Sequence, residues 1–285
     1  MIKYLRILVL FFIFPISGEN LRVVTSRDLK GNIKACTCTA IPISGLAGRG
    51  SFLESIQINP KTDLLLELGN YIGPAISREQ FPALFEGFLA LGYHSLGLSE
   101  MELKNISTEA WDKMIYQPVS SNLNSLSGEP SFKTIETFYR NGNVIHFLSF
   151  YFPSFTNRLG EVYLSSLSYT PVNQKLNQIV SEKTGNLWIL SFFGTMEELE
   201  TLNLPDKIKN KLIILNTDTP NLEESKISKK LGKVFIQRGE NGDELNLFEF
   251  TPDLKFVKRK RVLLDAEKLK ENSKISSIIQ KYNIK

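Results

Sequence analysis

Asp63-Leu64-Leu65-Leu66-Glu67-Leu68, ending at Gly69-Asn70, is an almost unbroken apolar run of strand length. Such runs belong to strands covered on both faces, so this segment calls for a layered α/β architecture rather than an open sheet. The rest of the chain alternates accordingly. Leu21 to Thr25 reads as a first strand and Leu46 to Ile56 as a helix. Phe81, Leu84, Phe85, Phe88 and Leu89 recur at helical spacing, and His94 to Leu98 returns to strand. Ala110 to Ile115 reads as a short helix. Phe138-Tyr139 and Val144 to Phe150 flank Asn141-Gly142, a pair that accepts positive φ and predicts a hairpin. Asn173 to Lys183 and Met196 to Leu204 read as helices, Leu187 to Ser191 and Leu212 to Leu215 as strands. Beyond Gly232 the chain turns β-rich over Val234 to Gln237, Leu245 to Phe250 and Lys255 to Leu264, and a last amphipathic helix carries Ile275, Ile278 and Ile279. No linker or tandem repeat divides this order. It implies one α/β domain over residues 19–264, with a C-terminal helix in residues 265–285 packed on it.

With 285 residues, 42% of them hydrophobic and 22% charged, the chain has the apolar material for a substantial core. Lys3 and Arg6, the apolar run from Ile7 to Phe14, then Pro15 and the small residues Ser17 and Gly18 match a secretory signal over residues 1–18. The run is shorter than the roughly 20 apolar residues a bilayer needs, an uncleaved anchor being the alternative, and no later segment is long enough. Cys36 stands too far in to be the lipid-modified cysteine of a lipoprotein. The expected location is a bacterial periplasm or the cell exterior, an oxidising space for Cys36 and Cys38.

Six short segments lie along the chain in a definite order: Asp28-Leu29-Lys30-Gly31, Ser44-Gly45-Leu46-Ala47-Gly48-Arg49, Glu67-Leu68-Gly69-Asn70, Gly97-Leu98-Ser99-Glu100 preceded by Ala90-Leu91-Gly92-Tyr93, Leu190-Ser191-Phe192-Phe193-Gly194, and Asn216-Thr217-Asp218-Thr219. In that order they resemble the signatures of the calcineurin-like metallophosphoesterases of the 5'-nucleotidase (UshA-type) family. Those signatures are Asp-x-His-Gly, Gly-Gly-Leu-Ala-Arg-Arg, Asp-x-Gly-Asp, Gly-Asn-His-Glu, a strand ending in His, and Gly-His-x-His. Gln237-Arg238-Gly239-Glu240-Asn241-Gly242 resembles the closing strand-turn of the same domain. The likeness runs from about Leu21 to Phe250, carried by order and spacing because each motif alone is weak. It implies an αββα sandwich of two mixed sheets flanked by helices. It also implies a site that, in the family, holds two divalent metals.

Residue by residue, this chain departs from that site. Lys30 stands where the family has the first histidine, and an acid beside an ammonium makes an ion pair rather than a metal grip. Asn70 stands at the bridging acid, keeping an oxygen but losing the charge that offsets two divalent ions. Leu98 and Ser99 replace the Asn-His pair, Phe192 the strand-end histidine, and Thr217 and Thr219 the last two histidines. Only Asp28 is retained. The chain's two histidines, His94 and His146, fall in strand-like runs away from the matched positions and read as core or hydrogen-bonded side chains. No cofactor or metal is therefore expected, although Asp218 or Glu67 are acids the scaffold has to hand. The family's nucleoside-binding second domain would lie beyond Lys285.

Cys36-Thr37-Cys38 falls in the loop between Asp28 and Gly45, with Lys34 beside it. Two thiols at this separation form a small-ring bridge that exchanges readily, and a nearby lysine favours thiolate. The element also resembles one in a 5'-nucleotidase-like branch that includes selenoproteins. A pair of thiolates supplies only half of a zinc shell, and a purely structural pair or a bridge to another chain stays open. Lys255-Phe256-Val257-Lys258-Arg259-Lys260-Arg261-Val262 reads as a solvated edge strand rather than a nucleic-acid surface. Phe147 to Phe155 reads as a core strand followed by a turn at Pro153.

The sequence thus points to an exported metallophosphoesterase-like protein without the metal centre, acting by binding or as a structural component. No nucleic acid is expected as partner. A protein or small molecule at the vacated cleft is the partner the reading allows. The alternatives are a thiol redox or metal-handling protein using Cys36 and Cys38, and a weak metal-dependent phosphoesterase or 5'-nucleotidase.

Overall fold

The computed structural model describes residues 19–36, 42–105, 117–126, 132–160, 167–217, 225–238 and 242–284. The N-terminal signal over residues 1–18, the helix expected at Ala110 to Ile115, Cys38, Asp218 and Thr219 lie outside them. Among the described residues, no helix is long and apolar enough to cross a membrane.

Two mixed sheets form the centre. In the first, β1 (Leu21–Ser26) lies between β12 (Glu244–Phe250), antiparallel, and β2 (Leu64–Glu67), parallel; β13 (Phe256–Leu263) and the short β3 (Ser95–Leu96) form its edges. In the second, β6 (Asn143–Tyr151), β8 (Leu187–Phe193), β9 (Lys211–Asn216) and β11 (Gly232–Gln237) run parallel, with β5 (Glu136–Arg140) and β10 (Ser225–Ser228) antiparallel at the two edges. β4 (Leu123–Ser125) and β7 (Leu167–Tyr169) make a separate antiparallel pair.

Alternation along each strand decides which layer a side chain joins. Val23, Leu64, Leu66, Ile145, Phe147, Leu187, Ile189, Ile214, Phe235 and Phe248 meet between the sheets in one buried cluster. The opposite faces are covered by helices. α1 (Gly45–Ser55), α2 (Phe81–Leu91) and α7 (Ser273–Lys281) pack with Val24, Leu65 and Leu245 of the first sheet. α5 (Val172–Glu182) and α6 (Met196–Glu200) pack with Leu148, Trp188, Leu190, Ile213 and Val234 of the second. This is the αββα arrangement that the resemblance implies. Each fully buried Leu, Ile or Phe contributes roughly 1.5–3 kcal/mol, so the three clusters together dominate stability.

Local chemistry explains the element ends. α2 begins with Pro82 in its first turn and ends at Gly92, whose φ of 80° lets the Gly92 and Tyr93 amides donate to the Leu89 and Phe88 carbonyls. Asn272 caps α7 by accepting from the Lys274 and Ile275 amides, which turns Ile275 and Ile278 into the core. Asn141 and Gly142 sit at φ 50° and 76°, the hairpin turn the sequence predicts between β5 and β6.

Other expectations are corrected. Pro153 starts a helix, α4 (Pro153–Leu159), rather than a turn, because the residue at a helix's first position needs no amide hydrogen. Glu100–Asn105 forms α3, which the periodicity did not indicate. α6 stops at Glu200, short of the expected Leu204, and β3 is reduced to Ser95–Leu96. β13 is a solvated edge as expected, with Lys258 paired to Glu249 and Arg261 to Glu244.

Both histidines are held by hydrogen bonds of the neutral ring. His94 accepts the Leu65 amide at Nδ1 (3.1 Å), so Nε2 carries the proton to the Pro60 carbonyl (2.8 Å). His146 contacts the Thr137 hydroxyl through Nδ1 (3.0 Å) and the Thr184 carbonyl through Nε2 (2.9 Å). Burial lowers the pKa of both rings below the ordinary value. The native state therefore binds fewer protons than the unfolded chain as pH falls below about 6.5, and the histidine contribution to stability is lost from there downward through the folded pKa values. NMR titration is expected to place both rings below about 6.5. Between pH 7.5 and 5.5, the urea midpoint of the native chain should fall relative to that of a His94→Gln variant. A constant difference over that range, or unshifted rings, contradicts the assignment.

Candidate functional site

The site lies where the loops leaving β1, β2 and β3 meet. Asp28 N–H donates to the Gly69 carbonyl (3.0 Å), Lys30 N–H to that of Asn70 (3.0 Å) and Gly31 N–H to that of Tyr71 (2.7 Å), so the loops after β1 and β2 run as a zipped pair. Asp28, Lys30 and Asn70 all take positive φ, at 67°, 51° and 61°. Asn and Asp tolerate that region; a lysine there is less common and stays only where its surroundings impose it. Gly69, at φ 123°, lies so close to Leu98 that a Cβ would come within 2.9 Å of its carbonyl carbon, which is how the ends of β2 and β3 approach each other.

Four side chains that the sequence assigns to the site come together. Asp28, its side chain 4% exposed, receives the Lys30 ammonium at 2.9 Å on one oxygen and the Asn70 amide on the other. Ser99 lies beside Asn70, with Oγ 3.4 Å from Oδ1, and donates its hydroxyl to Glu102 at 2.5 Å. Thr217 is met through its backbone carbonyl by Arg27 Nη1 at 3.5 Å. Phe192 does not join this group. Strand parity turns it outward, where it stacks with Phe150 and Phe152 in the helix-covered core. Its neighbour Phe193 faces the site, stacked on Tyr151 and under the Arg27 guanidinium at 5.6 Å. Cys36 is disulfide-bonded and its backbone pairs with Ile43 in both directions at 2.8 Å, anchoring the loop that leads into α1.

The structure adds residues that motif matching passed over. Glu102, fully buried on α3, accepts the amides of Asn70, Ile72 and Ser99, each at 2.8 Å, as well as the Ser99 hydroxyl. It thereby fixes the β2 and β3 loops, while the neighbouring Glu100 of the matched motif only pairs with Lys104 near the surface. Burial pushes the Glu102 carboxyl up, against the pull of those donors. Glu67 is likewise buried, and its Oε2 takes Arg49 Nη1 at 2.5 Å and the Ser26 hydroxyl at 2.5 Å. Arg49 also donates from Nε to Gly242 O (2.8 Å) and from Nη2 to Arg27 O (2.9 Å). Burial is the largest single influence and works against its charge, but Glu67 and Tyr93 together outweigh it and the guanidinium pKa is raised. Glu67 is thus held beneath the site through Oε2, while its Oε1 is buried without a hydrogen-bond partner among the described residues. The one available signal is its position: an acid at the last residue of a strand covered on both faces has to find a buried partner.

The donor set does not fit a two-metal centre. Such a centre needs carboxylates and imidazoles converging from several loop tips. Here an ammonium, an amide, a hydroxyl and a phenyl ring stand at those tips. Among the described residues no group of three or more His, Cys, Asp or Glu side chains is arranged to hold a metal ion.

Arg49 and Glu67 are both 0% exposed, so removing one charge strands the other. Arg49→Met is expected to cost about 3–5 kcal/mol in urea denaturation, and a joint Arg49→Met/Glu67→Met replacement to recover a large part of it. A single-variant loss below about 1 kcal/mol, within the range of an exposed pair, contradicts the clamp described here.

No protein-family model matches the chain. No curated protein matches it either. Solved structures do. A 5'-nucleotidase precursor from Thermus thermophilus superposes with a TM-score of 0.70 at 15% identity, over 93% of this chain and 58% of that one. The NAD nucleotidase of Haemophilus influenzae gives 0.67 at 14%, over 94% and 60%. The calcineurin-like phosphoesterase YfkN from Bacillus subtilis gives 0.66 at 14%, over 93% and 97%. The chain thus spans about three fifths of the two nucleotidases and nearly all of the third structure. With this two-sheet core and these loop positions, the chain has the fold of the calcineurin-like phosphoesterases of the 5'-nucleotidase type.

Proposed function

We propose that this chain is an exported member of the phosphoesterase-like fold that acts without hydrolysing phosphoesters, through binding or as a structural component at the vacated cleft. Hydrolysis of nucleotides belongs to the names of its nucleotidase neighbours; the fold alone does not transfer it. One observation carries the reading. The loop tips that face Asp28 bring hydrogen-bond donors and an ammonium where ligands for cations would have to stand. A nucleophilic water needs a Lewis acid or a free base beside it; Glu102 is bound to internal donors, and Glu67 is wholly buried with Oε2 held by Arg49 and Ser26. The charged start and apolar run before Glu19 support export.

Purified protein incubated with manganese and bis(p-nitrophenyl) phosphate, a generic phosphodiester, is expected to give no turnover above the blank. Turnover that falls on Asp28→Ala overturns the reading in favour of the phosphoesterase alternative.

A second reading draws on Cys36, which is bridged in a loop anchored next to the site. Here the Cys-x-Cys element of the sequence exchanges thiols with a partner. Its test is equilibration against a glutathione buffer series with trapping of free thiols. Exchange within the glutathione range supports it, and resistance equal to an ordinary structural bridge removes it.

A further inference from the structure

We propose that Lys30 is a built-in counter-ion for Asp28, occupying with its ammonium the position a divalent cation would need and keeping this cleft closed to metals. The inference rests on the non-hydrolytic reading above and deepens it by naming the group that shuts the site. Asp28 is a nearly buried carboxylate, and a carboxylate taken out of water needs a cation or several donors. Lys30 meets one oxygen at 2.9 Å and the Asn70 amide meets the other. The backbone is bent to allow it, since Lys30 holds φ at 51° between the hydrogen bonds that zip its loop to the Asn70 loop. The Lys30 side chain is 40% exposed and its ammonium meets the nearly buried Asp28 carboxylate.

The surroundings make this charge necessary. Glu67 and Glu102 are buried in the same loop cluster, and Asp28 bears electrostatically on Glu67. Arg49 neutralises Glu67, and Glu102 is met by hydrogen-bond donors. Among the described residues, the Lys30 ammonium lies directly on Asp28. With its charge removed, the Asp28 carboxylate is left beside the Asn70 amide, which now turns its nitrogen to it, and near Ser99 Oγ; once that amide rotates, a carboxylate with neutral oxygens is the donor type that suits manganese.

The experiment compares thermal melting of the native chain, Lys30→Met, Lys30→Arg and the double variant Asp28→Asn/Lys30→Met, each with and without millimolar manganese chloride. The native chain and Lys30→Arg are expected to melt at temperatures that manganese leaves unchanged. Lys30→Met should melt several degrees lower and regain at least half of the loss in manganese. The double variant should return towards the native temperature and ignore the metal. If Lys30→Met does not accumulate as folded protein, a double variant that folds normally is the same result. Manganese stabilising the native chain, Lys30→Met melting with the native chain or failing to respond to manganese, or a double variant no better than the single one overturns the proposal. Phosphodiester turnover by the native chain would instead overturn the non-hydrolytic reading, so the two failures are separate.

Discussion

Arg49 is the constraint on which the site end of the molecule depends. Its guanidinium, wholly buried, reaches Glu67 at the end of β2, the carbonyl of Arg27 after β1, and the carbonyl of Gly242 before β12. Three chain segments far apart in sequence are thereby fixed to one planar group, whose fork of donors allows no slack. A buried ion pair of this kind is weak evidence for net stability, because desolvation offsets much of its attraction. Its contribution is positional: with the pair in place, the loops carrying Asp28 and Asn70 have one way to lie. Ser26 and Tyr93, hydrogen-bonded to each other beside Glu67, extend the same buried network towards α2.

Above that frame the loop tips hold a fixed backbone shape under side chains that do not suit a two-metal centre. Asp28, Lys30 and Asn70 hold left-handed backbone, Gly69 brings β2 against Leu98, and Glu102 gathers the amides of Asn70, Ile72 and Ser99. A scaffold with this geometry separates two things usually read together. The backbone conformation is maintained by packing and buried hydrogen bonds underneath, whereas affinity for cations depends only on the few side chains at the tips.

Much of the architecture was legible from residue patterns. Apolar runs at β2, β8 and β9 announced strands covered on both faces, and the periodic Phe81, Leu84, Phe85 and Phe88 announced α2. The helix at Pro153 and the β4–β7 pair were not legible, because a short element's identity is set by its neighbours: Glu198 reaches back to cap Ser154, and Asn122 ties β4 to the Tyr151 backbone. Of the residues the motif order assigns to the site, Asp28, Lys30, Asn70 and Ser99 lie together and Thr217 meets Arg27 through its backbone, but Phe193 rather than Phe192 turns to that side. Which of two adjacent phenylalanines turns inward is a question of strand parity, and parity refers to a partner sheet.

By itself, then, the sequence determined the layered α/β class, the order of its elements and the absence of histidine from the six matched segments, because periodicity and residue type are local properties. Only the tertiary structure decided that Arg49 would be neutralised by Glu67, that Glu102 rather than Glu100 would hold the loops, and that the Lys30 ammonium would turn onto Asp28. Those outcomes depend on which buried charges come within a few ångströms of each other, and in a low-dielectric interior each charge takes the partner that the fold brings to it.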